Sequence, residues 1–239
     1  MQCVILAGGL GTRMRPRTDV CPKTLLPVRG RPFAYHQLSW LARQGVTELV
    51  YSIGHQGESI RKYWEREPSP VASIRYVDEG ERLLGTGGAL RLARQKGVLA
   101  ASFLVIYGDS FLPVEFAPIW RAFESSGLPA LMTVLRNEGR WDRSNAVYED
   151  GRVPLYHKGG RPGMRYIDYG LSALRRDLFD DTTPEVFDLA ALFHELSLRG
   201  QLAGYEVDQR FYEIGSPAGI SDLEQYLEAR EEVNCASTT

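Results

Sequence analysis

The sequence has little cysteine, little net charge and no long apolar run, and each absence excludes a class of protein. Its 239 residues include three cysteines, Cys3, Cys21 and Cys235, with no CxxC pair and no histidine cluster beside them. That spacing gives neither a disulfide framework nor a zinc site, and it suits a reducing cytoplasm. The formal net charge of −2 argues against a nucleic-acid-binding surface.

Hydrophobic segments long enough for a membrane are also missing. A membrane-spanning helix needs about 20 mostly apolar residues, and no run in the chain approaches that length. Glycines interrupt the apolar start "CVILAGGLG" too early for the hydrophobic region of a signal peptide. We therefore expect a cytoplasmic protein with no membrane partner.

The chain does contain short apolar runs that alternate with segments of helical spacing. This alternation predicts a mainly parallel sheet with helices on both faces. After about residue 136 the pattern changes, and a hairpin, a strand, a helix, a further strand and a closing helix are predicted. The predicted strands cover 3–8, 48–54, 73–79, 102–109, 130–136, 164–177 and the start of 202–216, the hairpin covers 145–158, and the predicted helices cover 33–45, 58–67, 88–97, 116–127, 187–200 and 221–233.

The segment "LAGGLGTR", residues 6–13, places glycine-rich backbone directly after the first apolar run. Glycine permits left-handed backbone and close approach, so that N–H groups can point at an anion while Arg13 and Lys23 neutralise it. The spacing is not that of a P-loop, and Met14 stands where a dinucleotide fingerprint has its third glycine. The segment predicts a phosphate-binding loop, with a plain strand-to-helix turn as the alternative.

Asp109 ends the apolar run "FLVIYGD", directly after Gly108. Its carboxylate is expected at the carboxyl end of a strand, where open α/β sheets bind ligands. A hard oxygen ligand in that place suits Mg²⁺ held by one or two carboxylates and by phosphate oxygens. The alternative is an aspartate that caps the following segment, and the glycine-rich loop favours the metal.

Residues 6–28, "LAGGLGTRMRPRTDVCPKTLLPV", resemble the N-terminal signature of nucleotidyltransferases that make nucleotide-activated sugars from sugar 1-phosphates. The resemblance continues in the family's order through "LGTGGAL", "IYGDS", the lysine of "YHK", "DYGL" and "FYEIGSP". The short length and "LGTGGAL" are most similar to the heptose 1-phosphate guanylyltransferases. The resemblance implies an α/β fold of three α/β/α layers, Rossmann-like and GT-A-like, around a mixed and mainly parallel sheet.

The same resemblance implies the reaction and the groups that carry it. A nucleoside monophosphate passes from an NTP, with GTP favoured, to a sugar 1-phosphate, and pyrophosphate leaves. Arg13 would hold the β- and γ-phosphates, Lys23 would approach the α-phosphate and Asp109 would bind Mg²⁺. Glu79 would accept a hydrogen bond from the base. The implied nucleotide-binding residues are Leu6, Ala7, Gly8, Gly9, Gly11, Thr12, Arg13, Lys23, Glu79, Gly85, Thr86 and Gly108.

The glycines of "LGTGGAL" have two readings. Gly85, Gly87 and Gly88 would let the backbone read the edge of the base, or they would simply allow a helix start to pack tightly. Glu213 stands where the family has the aspartate that is its second metal ligand. The extra methylene of glutamate shifts the carboxylate by about one bond length. A solvated glutamate beside a turn is the alternative for Glu213.

On the acceptor side, Lys158 matches the lysine that holds the sugar phosphate in the family. His157 replaces a glutamate, and Asp168 and Tyr169 stand where asparagine and a small residue are common. These departures suggest an unusual sugar, such as a heptose, a modified hexose or a cyclitol. The implied sugar-phosphate-binding residues are Asn145, His157, Lys158, Asp168, Tyr169 and Gly170.

Several alternatives stay open at this point. A uridylyl- or cytidylyltransferase would use the same chemistry, and Glu213 and His157 are compatible with a weakly catalytic nucleotide- or sugar-sensing module. A dinucleotide oxidoreductase fits the strand–helix alternation but lacks the third glycine. Relatives of this kind commonly associate, which allows a homo-oligomer. We expect one domain over residues 1–239, with a nucleotide-binding half at about 1–136, a sugar-phosphate-binding half at 137–233 and a tail at 234–239.

Overall fold

The computed structural model describes residues 1–9, 11–80 and 82–236, without the side chains of Arg13 and of residues 232–236. The longer elements follow the order strand, helix, strand predicted for the first half of the chain. The strands are β1 (Gln2–Ala7), β2 (Pro27–Val28), β3 (Arg31–Pro32), β4 (Glu48–Ile53), β5 (Ser73–Asp78), β6 (Ser102–Tyr107), β7 (Ser110–Phe111), β8 (Ala130–Arg136), β9 (Ala146–Glu149), β10 (Arg152–Tyr156), β11 (Tyr166–Arg175), β12 (Leu202–Val207) and β13 (Tyr212–Glu213). The helices are α1 (Arg17–Val20), α2 (Phe33–Arg43), α3 (Gly57–Arg66), α4 (Gly85–Gln95), α5 (Phe116–Ser126), α6 (Leu189–Leu198) and α7 (Pro217–Ala236).

Nine of these strands form one mixed sheet in the order β5-β4-β1-β6-β11-β8-β12-β10-β9. The first four strands in that order pair in parallel, as the apolar runs of the first half predict. Strand β11 then lies antiparallel between β6 and β8, and β12 pairs with β8 in parallel. The predicted α/β class with a mixed sheet is therefore confirmed. The sequence pattern did not indicate that a strand of the second half would separate two strands of the first.

The strands are buried because alternate side chains enter two separate cores. In β1, Cys3 and Ile5 pack in one hydrophobic cluster, whereas Val4 and Leu6 pack in the other. Side chains alternate between the faces of a strand, so the two clusters lie on opposite faces of the sheet. Each Val, Leu or Ile buried in this way contributes about 1.5–3 kcal/mol before entropy is counted.

The helices cover the sheet with apolar faces of helical spacing. In α5, Phe116, Ile119 and Phe123 are buried, and the helix ends at Gly127 with a φ of 65°. A left-handed residue at this point favours glycine, as the sequence predicted. Helices α2, α3 and α5 contribute to the cluster around Ile5, and α4 and α6 to the cluster around Val4.

The parallel strands place their carboxyl ends at one edge of the sheet. The backbone after β1 and the backbone after β6 meet there, and Gly108 donates its N–H to the carbonyl of Leu6 at 2.9 Å. A Cβ on Gly108 would lie 2.8 Å from that of Ala7, so only glycine allows this approach. The glycine-rich loop and Asp109 are thus side by side. Within the described part of the chain, no helix is both long and apolar enough to cross a membrane.

Candidate active site

A pocket of about 400 Å³ opens at this edge of the sheet. It lies between the loop after β1, the start of α4 and the residues after β6. Asp109, Tyr107 and all but one of the predicted nucleotide-binding residues line it. The exception is Arg13, whose side chain lies outside the described part of the chain. The predicted residues that line the pocket are Leu6, Ala7, Gly8, Gly9, Gly11, Thr12, Lys23, Glu79, Gly85, Thr86 and Gly108.

The glycine-rich loop is held in shape from outside the pocket. Gly11 has a φ of 61°, and its carbonyl accepts hydrogen bonds from the N–H of Met14 and from the hydroxyl of Thr18, both at 2.9 Å. The amide of Gln56 in turn donates to the carbonyl of Thr18 at 3.2 Å. A left-handed glycine followed by a 3₁₀ turn at Thr12–Met14 is the kind of backbone that can direct N–H groups at an anion.

Glu79 supports the far wall of the pocket. Its two carboxylate oxygens accept hydrogen bonds from the hydroxyl of Ser52 at 3.2 Å and from the N–H of Leu84 at 3.1 Å. A Cβ on Gly8 would lie 2.4 Å from a Glu79 oxygen, which explains glycine at this position. Burial raises the pKa of Glu79, and these hydrogen bonds act in the opposite direction. Glu79 therefore braces the loop that leads into α4; a contact with the base stays a prediction.

Lys23 and Asp109 form an ion pair inside the pocket. The Lys23 Nζ lies 2.5 Å from the Asp109 Oδ2, and the two side chains are 13% and 27% exposed. Gly215 lies close by, because a Cβ there would be 3.4 Å from the Lys23 Nζ. The predicted phosphate ligand and the predicted metal ligand thus occupy one enclosed point.

A short strand pair brings Glu213 to the same place. Strand β13 pairs antiparallel with β7, so Glu213 lies opposite Ser110, and the N–H of Ile214 donates to the carbonyl of Asp109 at 3.0 Å. Among the described residues, no group of three or more His, Cys, Asp or Glu side chains could hold a metal ion. One or two carboxylates nevertheless fit Mg²⁺, since it takes its other ligands from phosphates and water.

The glycines at the start of α4 serve packing. The N–H groups of Gly87 and Gly88 donate to the carbonyl of Phe187 at 3.0 and 3.2 Å. A Cβ on Gly87 would lie 2.2 Å from the Phe187 ring, and one on Gly88 would lie 2.4 Å from the carbonyl oxygen of Glu185. These two amides already have acceptors, which favours tight packing of the helix start over reading of the base by the amides.

Thr86 and Lys158 share a partner that the sequence reasoning missed. Asp188 begins α6 as its N-cap, accepts the Thr86 hydroxyl at 2.9 Å and pairs with the Lys158 ammonium. Lys158 follows β10, so Asp188 joins the pocket wall to the predicted acceptor side. Only the position of Asp188 before an apolar helical run pointed to it, and that signal predicts a helix cap rather than a site residue.

The remaining acceptor-side residues cluster around the start of β11. Asn145 accepts the N–H of Asp168 on its side-chain oxygen at 2.8 Å and the N–H of His157 on its backbone carbonyl at 2.9 Å. The His157 ring contacts the ring of His194 edge-on, with centroids 5.6 Å apart. Asn145 therefore fixes the backbone of His157 and Asp168, two of the residues that depart from the family pattern.

Asp168 and Gly170 lie on the face of the sheet that carries the pocket residues Leu6 and Tyr107. The Asp168 carboxylate accepts the N–H of Gly170 at 2.9 Å, and burial raises its pKa to about 6. Gly170 has a φ of 95°, and a Cβ there would contact the Tyr107 ring at 3.6 Å. Tyr107 was not predicted as a site residue; burial first, and then the charge of Asp168, raises its pKa.

Tyr169 requires a correction. Its side chain is 2% exposed and packs in the cluster on the opposite face of the sheet, with its ring edge-on to Phe211 at 5.9 Å. Neighbouring residues of a strand point to opposite faces. Because Asp168 and Gly170 lie on the face that carries these pocket residues, Tyr169 faces the core and is not a sugar-contacting side chain.

Comparison with known proteins finds a matching family model and relatives over most of the chain. Residues 2–143 match the family model described as nucleotidyl transferase. The chain is 28% identical over 236 residues to a D-glycero-alpha-D-manno-heptose 1-phosphate guanylyltransferase of Aneurinibacillus thermoaerophilus, covering 98% of both chains. It is 27% identical over 218 residues to the Campylobacter jejuni protein of that name, covering 91% of this chain and 96% of the relative.

Solved structures have the same fold. The crystal structure of HddC from Yersinia pseudotuberculosis complexed with GMP-PN has a TM-score of 0.80 and 25% sequence identity. That match covers 95% of this chain and 99% of the other. The similarity therefore extends over both the pocket and the acceptor side, as the order of motifs in the sequence predicts.

Proposed function

This chain belongs to the nucleotidyl transferase family, and we propose that it transfers guanylyl groups from GTP to a sugar 1-phosphate, with a heptose favoured. The products are a GDP-sugar and pyrophosphate. The observation that carries the proposal is the enclosed pair of Lys23 and Asp109 beside the glycine-rich loop. Two relatives that span nearly the whole chain are guanylyltransferases by name, which supports the base and the acceptor.

The chain's own groups supply binding and charge for the triphosphate. The loop from Gly8 to Thr12 offers backbone to the phosphates, and Arg13 is assigned to the pyrophosphate that leaves. Lys23 is assigned to the α-phosphate, where negative charge grows as the sugar phosphate oxygen attacks in line. The low exposure of Lys23 strengthens its interaction with that charge, because little water screens it.

Mg²⁺ is the proposed metal, with Asp109 as its first protein ligand and Glu213 as the second. Bound there, the ion would offset the repulsion between the two phosphates and neutralise the charge on the departing group. Asp109 and Lys23 are paired, so the carboxylate that would hold the ion and the ammonium assigned to the phosphate lie at one point of the pocket.

The acceptor side is assigned to Lys158, with Asn145, His157, Asp168 and Gly170 around the sugar. Lys158 is exposed and lies at the end of the chain of contacts that starts at Thr86. A sugar phosphate held by Lys158 would lie next to the nucleotide pocket. Asp168 would accept hydrogen bonds from sugar hydroxyls, which an ionised carboxylate does with both oxygens.

The proposal also covers the architecture, the cellular location, the domain organisation and the partners of the protein. The three-layer and mainly parallel architecture, the cytoplasmic location and the organisation in one domain with two functional halves remain proposals. They are compatible with the two cores on the sheet and with the use of a nucleoside triphosphate. Partners are the NTP and the sugar 1-phosphate, and association into a homo-oligomer is allowed.

A matrix of four NTPs against a panel of sugar 1-phosphates, read by pyrophosphate release with Mg²⁺, tests the proposal. The expected result is the highest kcat/KM with GTP and a heptose or related sugar 1-phosphate. An Asp109→Asn variant, shown to be folded by an unchanged thermal unfolding transition, serves as the negative control. Faster turnover with UTP or CTP would replace the guanylyl assignment, and nucleotide binding without pyrophosphate release from any pair would overturn the proposal.

A further inference from the structure

Asp188 connects the two sides of the cleft through a single carboxylate. Its Oδ1 accepts hydrogen bonds from the Thr86 hydroxyl at 2.9 Å and from the N–H of Ala190 at 3.0 Å. Its Oδ2 accepts a hydrogen bond from the Lys158 ammonium. Thr86 lines the nucleotide pocket. A continuous chain of contacts therefore runs from the pocket wall to the lysine proposed for the acceptor phosphate.

The carboxylate of Asp188 is itself firmly held. It caps α6, and the Thr86 hydroxyl that donates to it accepts the N–H of Leu189 at 2.8 Å. Burial acts to raise the pKa of Asp188, but the hydrogen bonds from Lys158, Ala190 and Thr86 outweigh burial and leave the pKa below its ordinary value. Asp188 is thus ionised at neutral pH and has one orientation.

Lys158 has little support of its own. Its side chain is 69% exposed, and it follows β10 in a turn closed by the hydrogen bond from the N–H of Gly160 to the carbonyl of His157 at 2.7 Å. Holding a long lysine side chain in one conformation costs rotamer entropy, which a fixed partner helps to offset. Asp188 is the ion-pair partner that Lys158 has within the described part of the chain.

We propose that Asp188 is a positioning residue: it holds the Lys158 ammonium at the edge of the nucleotide pocket, where the acceptor phosphate enters. This inference rests on the proposed function, because it gives Lys158 the phosphate of the sugar 1-phosphate as its ligand. An ammonium group has three donors. Asp188 uses one of them, so the pair persists while the phosphate takes the others.

The substitution Asp188→Asn separates positioning from helix capping. Asparagine caps helices about as well as aspartate, and its carbonyl oxygen still accepts from Thr86 and Ala190. The atom that faces Lys158 becomes an amide NH2 group, so both the charge and the acceptor toward Lys158 are lost. The KM for the sugar 1-phosphate is expected to rise about 10-fold, as for the loss of one charged hydrogen bond. The KM for the NTP stays within about two-fold, and thermal unfolding stays near that of the wild type.

Two further variants serve as controls for the kinetic experiment. Asp181→Asn changes an exposed aspartate seven positions earlier in the chain and is expected to leave both KM values unchanged. Asp188→Ala removes the cap as well and is expected to lower the unfolding temperature in addition to raising the acceptor KM. An unchanged or lower acceptor KM in Asp188→Asn would overturn the positioning role. So would an acceptor effect that appears only together with a loss of stability.

A second measurement needs no turnover. The rate at which an amine-reactive ester labels Lys158, read by mass spectrometry on the ligand-free protein, is expected to rise several-fold in Asp188→Asn. Lys62, which is 59% exposed, is the internal reference. Equal labelling of Lys158 in both proteins would overturn the positioning role of Asp188 and leave the proposed function unaffected. Absence of pyrophosphate release by the wild type would overturn the proposed function, while the labelling still decides whether Asp188 holds Lys158.

Discussion

The two lysines of the cleft are both paired with an aspartate, but their surroundings differ. Lys23 and Asp109 are 13% and 27% exposed, whereas Lys158 and Asp188 are 69% and 43% exposed. An enclosed charge acts on a reacting phosphate with little screening, while water and salt weaken an exposed one. We infer that the enclosed pair serves the chemical step and the exposed pair serves capture of the acceptor.

The largest effect is expected from Lys23→Ala. Removal of a cation from the point where transition-state charge develops should lower kcat about 10²–10³-fold. Pyrophosphate release at saturating substrates measures it, and Lys62→Ala, which removes an exposed lysine of α3, is the matched control. A Lys23→Ala protein with a kcat near the wild-type value would contradict the assignment of the enclosed pair to the chemical step.

Lys158→Ala should have a smaller effect than Lys23→Ala, and the effect should appear in the KM for the acceptor rather than in kcat. A hydrogen bond to a charged group contributes about 1.5–3 kcal/mol, which is roughly a 10–100-fold change in affinity. We expect this change in the KM for the sugar 1-phosphate, with the KM for the NTP nearly constant. A drop in kcat without a change in the acceptor KM would place Lys158 in the chemical step instead.

Gly87→Ala tests whether the glycines near the exposed pair serve packing. Alanine in a helix is favoured over glycine by about 1 kcal/mol, but a Cβ here would lie 2.2 Å from the Phe187 ring. Overpacking of this kind costs about 1–3 kcal/mol, so a net loss of up to about 2 kcal/mol is expected. Chemical denaturation measures the loss of unfolding free energy.

Gly9→Ala is the control for that experiment. No described atom lies within 4 Å of a Cβ at this position, so its unfolding free energy should match that of the wild type within about 0.5 kcal/mol. A Gly87→Ala protein more stable than the wild type would contradict the packing interpretation.

The last effect concerns Asp168, on the proposed acceptor side, and it depends on pH. Its pKa is about 6 in the folded protein against 3.8 for the free group, so the native state binds the proton more tightly. Protonation of Asp168 therefore adds to the free energy of unfolding at low pH, and this contribution declines as pH rises from about 4 to 6. Asp168→Asn should abolish that decline, which for a pKa change from 3.8 to about 6 amounts to about 2–3 kcal/mol. Denaturation midpoints at pH 4 and pH 7 measure it, and parallel profiles would contradict the prediction.

Much of the nucleotide side could be predicted because it is encoded in continuous stretches. The glycine-rich loop and Asp109 each follow a recognisable apolar run, and parallel strands bring such ends together. Lys23 lies ten residues after the loop's Arg13 in the same N-terminal segment. Helices such as α2 and α5 begin at the residues where the patterns predict them. In this region the local sequence pattern and the tertiary structure favour the same helix and strand positions.

The acceptor side was less predictable because it depends on contacts between distant residues. Asp188 joins Thr86 and Lys158 across 102 and 30 positions of sequence, and no local pattern reports such a pair. Tyr169 was misassigned because its role depends on which face of β11 meets the pocket. The short strands β7 and β13 were missed because two residues carry no periodicity.

The antiparallel strand β11 has a consequence for how this chain is synthesised. It fills the gap between β6 and β8, pairing Leu174 with Phe103 on one side and with Ala130 on the other. Until the ribosome has released residues up to Arg175, those two strands present unpaired edges, and such edges invite association with other chains. We infer that residues 1–136 would aggregate when made alone. The two proposed functional halves are separate along the sequence, but the sheet is continuous only when both are present.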